Sequence, residues 1–315
     1  MINKNSKIYI AGHQGLVGSA LVRALTKQGF NNLLTRSHQA LDLKNQNQVN
    51  NFFRRCRPDY VFLAAAKVGG ILANQTYPAE FIYDNLAIEL NVIQAAYQNK
   101  VKKLLFLGSS CIYPRDAKQP IKEEYLLSAP LEKTNEAYAI AKIAGLKMCE
   151  FYNQQYNTSY ITAMPTNLYG PHDNFNLNNA HVLPALIHKF QEAKTKNQAT
   201  VILWGSGQPR RDFLYIDDLA SALIFLLDKY DGRRGPVNIG NGRDLSIKEL
   251  AEKIKKLTGF TGKITWDKTK PDGTPRKLLA INRLKTLGWR PQISLTHGLK
   301  ITYDWFLKNE QKIKK

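Results

Sequence analysis

Short apolar runs alternate with amphipathic stretches through the first half of the chain. Lys7-IYIA reads as a strand, and Leu16 to Gln28 carries apolar residues at helical spacing before stopping at Gly29. Leu33-Leu34 is a weak strand, Val49 to Arg55 is helical and halts before Pro58, and Tyr60-VFLAAA is a buried strand. A long helix is predicted from Pro78 to Asn99, a strand at Lys103-LLFL, a helix from Tyr138 to Tyr156 and a strand at Tyr160-ITAM. Strands separated by helices of this length form parallel βαβ units. Their continuous apolar character, without alternation, marks a sheet covered on both faces. The pattern predicts an α/β fold, a Rossmann-type doubly wound parallel sheet.

The rhythm changes after Pro165, where loops lengthen through Asn167-LYGPHDNFNLNN. A helix is predicted from about Leu183 to Lys194, a strand at Val201-ILW, a helix from Ile216 to Leu227 and a short strand at Val237-NIG. Ser246 to Thr258 reads as a helix with Ser246 as N-cap and Glu249 completing a capping box. A strand at Lys263-ITW and a helix near Leu299 to Asn309 finish the pattern. The expected division is a Rossmann domain of residues 1–170 plus about 214–240, and a smaller α/β substrate domain of about 171–213 plus 241–315.

Composition narrows the function classes. The chain is 43% hydrophobic and 22% charged, which fits an ordinary globular protein and no disordered or fibrous one. Cys56, Cys111 and Cys149 form no C-x-x-C pair, which argues against a disulfide framework or a zinc site, so no metal is expected. The apolar run from Val61 to Ala73 contains Lys67 and is too short to cross a bilayer. The opening MINKNSKIYIAG has no signal-peptide pattern, and a cytoplasmic protein without a membrane partner is expected. The net charge of +20 raises a nucleic-acid reading, but the lysines are spread, from Lys253, Lys255 and Lys256 to the tail at Lys308, Lys312, Lys314 and Lys315. A solvated basic surface that steers anionic ligands is the expected account, with no nucleic-acid partner.

Two constellations carry chemistry. Gly12-His13-Gln14-Gly15-Leu16-Val17-Gly18 follows a strand and opens a helix, so its backbone can approach a phosphate at a helix N-terminus. Tyr138 and Lys142 lie four apart, on one helix face. A nearby ammonium favours the phenolate and is expected to lower the tyrosine pKa, preparing proton donation to a carbonyl that receives hydride. Ser109, between Gly108 and Ser110 at a strand end, can hydrogen-bond that carbonyl. Taken alone, Cys111 reads as a small buried hydrophobe, His181 as a surface or capping histidine, and Trp204 as core packing or an aromatic platform.

With Gly12-x-x-Gly15-x-x-Gly18, Ser109 and Tyr138-x-x-x-Lys142, the chain resembles the extended short-chain dehydrogenase/reductase family. GHQGLVGSA, AAAKVGGI, FLGSSCIYP, AYAIAKIAG, MPTNLYGPHDNF, WGSGQPRRDF and KPDGTPRK resemble the branch that converts GDP-4-keto-6-deoxy-D-mannose to GDP-L-fucose. The resemblance implies NADPH-dependent 3,5-epimerisation followed by 4-reduction. A ketone at C4 acidifies the protons at C3 and C5, so one site can invert both centres and then reduce. By resemblance Cys111 is the base and His181 the acid; a thiol base needs a lowered pKa, which a nearby cation can supply.

The resemblance also implies the binding sets. For NADP(H) these are the glycine turn, Arg36, His38, Asp42, Leu43, Leu107, Gly108, Ser109, Ser110, Lys142, Pro165, Thr166, Asn167, Leu168 and His181. Bacterial relatives often carry arginine at the positions of Gln14 and His38, so Arg36 is left to grip the 2′-phosphate here. For the GDP-sugar they are Lys189, Trp204, Arg211 and Asp272, with the choice of Arg211 over Arg210 resting on register. A homodimer through the helices after Pro78 and from Tyr138 is implied as in relatives. The competing readings are a related GDP-4-keto sugar (3,6-dideoxy or heptose), a nucleotide-sugar 4-epimerase, and a non-catalytic cofactor-sensing or nucleic-acid-binding protein.

Overall fold

The computed structural model describes residues 2–177 and 179–313, so Lys314 and Lys315 of the basic tail lie outside the described residues. The first half runs β1 (Ile8–Ala11), α1 (Leu16–Lys27), β2 (Leu33–Leu34), α2 (Gln46–Cys56), β3 (Tyr60–Leu63), α3 (Ile71–Thr76), α4 (Pro78–Gln98), β4 (Lys103–Leu107), α5 (Glu136–Tyr156) and β5 (Tyr160–Pro165). The second runs β6 (Asn167–Tyr169), α6 (Val182–Thr195), β7 (Thr200–Trp204), β8 (Arg210–Tyr215), α7 (Ile216–Lys229), β9 (Val237–Ile239), β10 (Asp244–Ser246), α8 (Ile247–Thr258), β11 (Lys263–Asp267), β12 (Arg276–Lys277), α9 (Asn282–Leu287) and α10 (Leu295–Ile313).

The main sheet is parallel and doubly wound, in the order β2-β1-β3-β4-β5-β9. Its strands are apolar throughout because both faces are buried. Along β1, Ile8 and Ile10 enter the core shared with α1 and α7, while Tyr9 and Ala11 enter the core shared with α2, α4 and α5. Phe62 and Leu105 face the first core, and Val61, Leu63, Leu104 and Phe106 face the second. Emptying one such site, as in Phe106→Ala, costs about 3–5 kcal/mol by lost transfer and cavity energy.

Local signals end the elements where the sequence places them. Pro78 opens α4 at a position that needs no amide hydrogen. Ser246 caps α8 and accepts from Glu249 N at 3.1 Å, and Ser246 N donates to Glu249 Oε2 at 2.6 Å. The apolar run at Ala64 to Ala66 differs from expectation: pairing stops at Leu63, and the alanines form a loop pressed against the Gly12 turn.

The second half builds a four-stranded sheet around β8, which pairs with β6, β10 and β12, and a separate β11-β7 pair. Asp212 of β8 is fully buried and accepts from Asn241 N at 3.1 Å and Gly242 N at 3.2 Å. Those two residues follow β9, so this carboxylate ties the small sheet to the edge of the main one.

Candidate active site

The main sheet reverses its strand order at β1, with β2 on one side and β3 on the other, and the crevice opens at the carboxyl ends there. The turn after β1 fits a dinucleotide. Gly12 has φ +86°, and a Cβ on it would sit 2.8 Å from Ala65 N. A Cβ on Gly18 would sit 2.1 Å from Gly12 O, so only glycine lets α1 rest on the turn. Gly15 is the N-cap of α1, whose first turn carries no acid, so its free amide hydrogens favour an anion. Arg36 is exposed, lies 5.6 Å from the Phe52 ring centre and donates to Thr35 O at 2.7 Å. His38 is exposed, and its Nδ1 lies 3.8 Å from Asp42 Oδ1, beyond hydrogen-bond distance.

The residues expected to serve reduction come from the turn after β4 and from α5. Ser109 follows the strand and caps a short 3-10 turn, where its Oγ accepts from Cys111 N at 3.2 Å. Tyr138 packs edge-on against Phe81 with ring centres 6.4 Å apart. Lys142 is almost fully buried, donates to Leu107 O at 3.1 Å and lies 3.1 Å from Glu89 Oε1 of α4. Its ammonium is 5.8 Å from the Tyr138 ring centre. The expected lowering of the phenol by that ammonium is not what the structure produces. Burial, then Cys111 and Glu89, push Tyr138 up, against a hydrogen bond from Ser109. The main physical reason is burial of the phenol, to which the charge of Glu89, beside Lys142, adds. Tyr138 is thereby held protonated.

The residues expected to act as base and acid gather from distant segments. Cys111 is part-exposed, unlike a core cysteine, and Lys277 Nζ donates to its Sγ at 3.6 Å. Lys277 pairs with Arg211 in the parallel register of β12 and β8, so both cations leave the same sheet face. His181 is the N-cap of α6 and is reached from the cavity although protein closely surrounds it. Burial, followed by the Lys277 charge, pushes its imidazole below the ordinary value. Burial pushes the Cys149 thiol up, and His188 Nδ1 bonds Phe175 O at 2.7 Å beside the Phe306 ring.

At the far end, the alternation of β7 buries Val201 and Leu203 and turns Ile202 and Trp204 outward. Trp204 is 51% exposed, which removes the core-packing reading. Lys189 and Lys270 lie 5.9 Å and 5.6 Å from its ring centre. Arg210 turns away to Asp244 at 3.1 Å and Glu249 at 3.4 Å, whereas Arg211 faces the cavity. Asp272 accepts from Ser206 N and Ser206 Oγ, each at 2.7 Å.

One cavity of about 990 Å³ is lined by all the catalytic, cofactor and substrate candidates named from the sequence. Lys277 and Asp173 also line it, and nothing in spacing singles them out; both lie inside strings, KPDGTPRK and PHDNF, that carried only resemblance. Asp173 accepts from Asn174 N at 2.8 Å, its Oδ2 has no partner among the described residues, and burial pushes the carboxyl up to about 7. Among the described residues there is no cluster of metal-ligating side chains and no helix long and apolar enough to cross a membrane.

Comparison with known proteins agrees with this geometry. The NAD dependent epimerase/dehydratase family matches residues 8–240. GDP-L-fucose synthase 1 of Arabidopsis thaliana is 59% identical over 98% of this chain and 95% of its own length. GDP-L-fucose synthase of Escherichia coli (strain K12) is 52% identical over 98% of both chains. Among solved structures, the GDP-mannoheptose C4 reductase MlghC of Campylobacter jejuni, with NADP bound, superposes with a TM-score of 0.90. It is 42% identical and covers 98% of this chain and 100% of its own. With the glycine turn, the Ser109–Tyr138–Lys142 group and a match over most of its length, the chain belongs to the NAD dependent epimerase/dehydratase family.

Proposed function

We propose that this protein makes GDP-L-fucose from GDP-4-keto-6-deoxy-D-mannose by 3,5-epimerisation and 4-reduction, using NADPH. The observation that carries the reading is the pairing of Cys111 with Lys277 in the same cavity as Ser109 and Tyr138. Relatives more than half identical to this chain bear that activity in their names.

The glycine turn, Arg36 and the segment Pro165 to Leu168 hold the cofactor, and bound NADPH supplies the hydride that C4 receives. On this reading residues 1–170 with about 214–240 serve the cofactor, and the remainder serves the sugar nucleotide. Arg211 and Lys189 meet the diphosphate, Trp204 offers its ring, and Asp272 accepts from a hydroxyl or from guanine. Cys111 removes the proton next to the ketone, with the Lys277 ammonium 3.6 Å from its Sγ. His181 returns a proton to the opposite face, at C3 and then at C5 or in the reverse order. Ser109 holds the C4 oxygen throughout, first as enolate and then as ketone. Tyr138 finally gives that oxygen its proton, and Lys142 fixes the nicotinamide ribose.

The three unpaired cysteines suit a reducing, cytoplasmic setting. The outer faces of α4 and α5 leave Tyr83, Leu90, Ile140 and Phe151 exposed, which supports a homodimer through these helices. A second reading rests on the likeness to MlghC: a GDP-heptose 4-ketone in place of the 6-deoxy sugar.

The test is incubation with NADPH and GDP-4-keto-6-deoxy-mannose, with the product identified by NMR. GDP-L-fucose is expected. A product with C3 and C5 unchanged removes the epimerase step, and faster turnover of a heptose ketone favours the second reading. No NADPH oxidation with either overturns the assignment.

A further inference from the structure

One buried acid takes no part in the reaction as derived. Glu89 lies midway along α4 with 1% of its surface exposed, where the helix packs on α5. Its Oε1 is 3.1 Å from Lys142 Nζ, and the two side chains are each 2% exposed. The contact has ion-pair distance, and among the described residues no other side chain bonds the carboxylate. The helix opposite is shaped around it. A Cβ on Gly145 of α5 would come 2.5 Å from Glu89 Oε2 and 2.6 Å from the Phe106 ring. Any other residue at 145 would displace the acid.

The remaining groups that face the pair are few. From α5 come Tyr138, Lys142, Cys149 and the Gly145 backbone; from β4 come Leu107 O and the Phe106 ring, 4.7 Å from the ammonium. Burial pushes the Glu89 carboxyl up and the Lys142 ammonium works against that; an ammonium this far from water needs a compensating charge, and Glu89 is the carboxylate beside it. Glu89 and Cys111 both push the Tyr138 phenol up, after burial, whereas Lys142 Nζ lies 5.8 Å from the Tyr138 ring centre, where an ammonium favours the phenolate.

We infer that Glu89 is a positioning residue for reduction: the counter-ion that holds the Lys142 ammonium behind Tyr138 and offsets its charge there. This deepens the reductase reading and rests on it. With the carboxylate removed, the ammonium acts on the phenol unopposed. Tyr138 then loses its proton at lower pH, the high-pH limb of reduction moves down, and oxidation of the product begins at lower pH. Exchange at C3 and C5 depends on Cys111 and His181 and keeps its rate.

The test compares full-length Glu89→Gln with the parent in two assays across pH: single-turnover NADPH oxidation with the GDP-4-keto sugar, and solvent-deuterium uptake at C3 and C5. The expected result is a high-pH limb lower by about one unit, a tenfold change in phenol ionisation, with deuterium uptake held. An unmoved limb, or equal loss in both assays, overturns the inference. Glu89→Asp keeps the charge and is expected to restore the limb.

A second measurement needs no substrate. Melting temperatures of Glu89→Gln, Lys142→Met and the double variant form a cycle. Each single change strands a buried charge, so the double is expected to melt higher than either single; additive losses overturn the pairing. Wild-type protein that reduces no such ketone strikes the proposed function, and the melting cycle still judges Glu89.

Discussion

The reductive wall of the cavity stands on regular elements, whereas the acid/base wall is assembled from turns and loop ends. Tyr138 and Lys142 occupy one face of α5, and Ser109 sits directly after β4. Their relative positions follow from helix pitch and strand direction. Cys111 comes from a 3-10 turn, His181 from the end of a long loop, and Lys277 from a two-residue strand held by β8. The first wall is fixed by backbone hydrogen bonds, the second by contacts between segments far apart in the chain. Rigid local geometry suits hydride transfer, where orientation decides the rate. The acid/base wall needs charge more than alignment, and two neighbouring strands supply it as Lys277 and Arg211.

The largest effects should separate the walls outright. Tyr138→Phe is expected to cut NADPH oxidation by about 10²–10⁴-fold while deuterium still enters C3 and C5. Cys111→Ala is expected to stop that deuterium uptake and leave NADPH binding intact. If either change abolishes both readouts, the two walls are not independent. Lys277→Met comes next. Losing a charge-assisted bond to Sγ should slow exchange about 10- to 100-fold and slow alkylation of Cys111 by iodoacetamide, without weakening NADPH binding. Unchanged alkylation would remove Lys277 from the base.

Gln14→Arg probes the cofactor side. An added exposed cation is worth about 0.2–1 kcal/mol, so NADPH should bind up to about fivefold tighter at low salt. No change would mean that Arg36 already holds the 2′-phosphate.

The smallest effect concerns Asp173, in the loop that leads to His181. Burial raises its folded value from 3.8 to about 7, so the folded state favours the protonated acid. Its contribution to stability is present below pH 3.8 and is lost as pH rises to about 7. Asp173→Asn has no such slope, so its melting temperature should gain a few degrees on the parent between pH about 4 and about 7. A constant difference would contradict this.

How much was legible follows the same division. The main sheet was readable because both of its faces are buried, which leaves uninterrupted apolar runs. The capping box of α8 was readable because Ser246 and Glu249 are neighbours in sequence as well as in space. β8, the centre of the small sheet, escaped because RRD is polar and FLY apolar, so the strand matches neither a buried nor an alternating pattern. Cys111 and His181 carried roles only through resemblance, since no spacing links residues from separate loops. Lys277 lies 166 residues from Cys111, and tertiary pairings, of β12 with β8 and of Ile121 with Leu279, bring their segments together. Glu89 reads as an ordinary polar helix position, and its burial depends on the missing side chain at Gly145.

The undivided cavity has a consequence for fidelity. Inversion and reduction share one bound ketone, with no wall between the residues that serve them. Once the ketone is reduced, the neighbouring protons lose their acidity, and any centre not yet inverted is frozen. Product purity is therefore a race between two clocks, and slowing the acid/base pair without slowing reduction should release wrongly configured sugars. The stereochemical error rate would then report the balance between the two walls more sensitively than turnover itself.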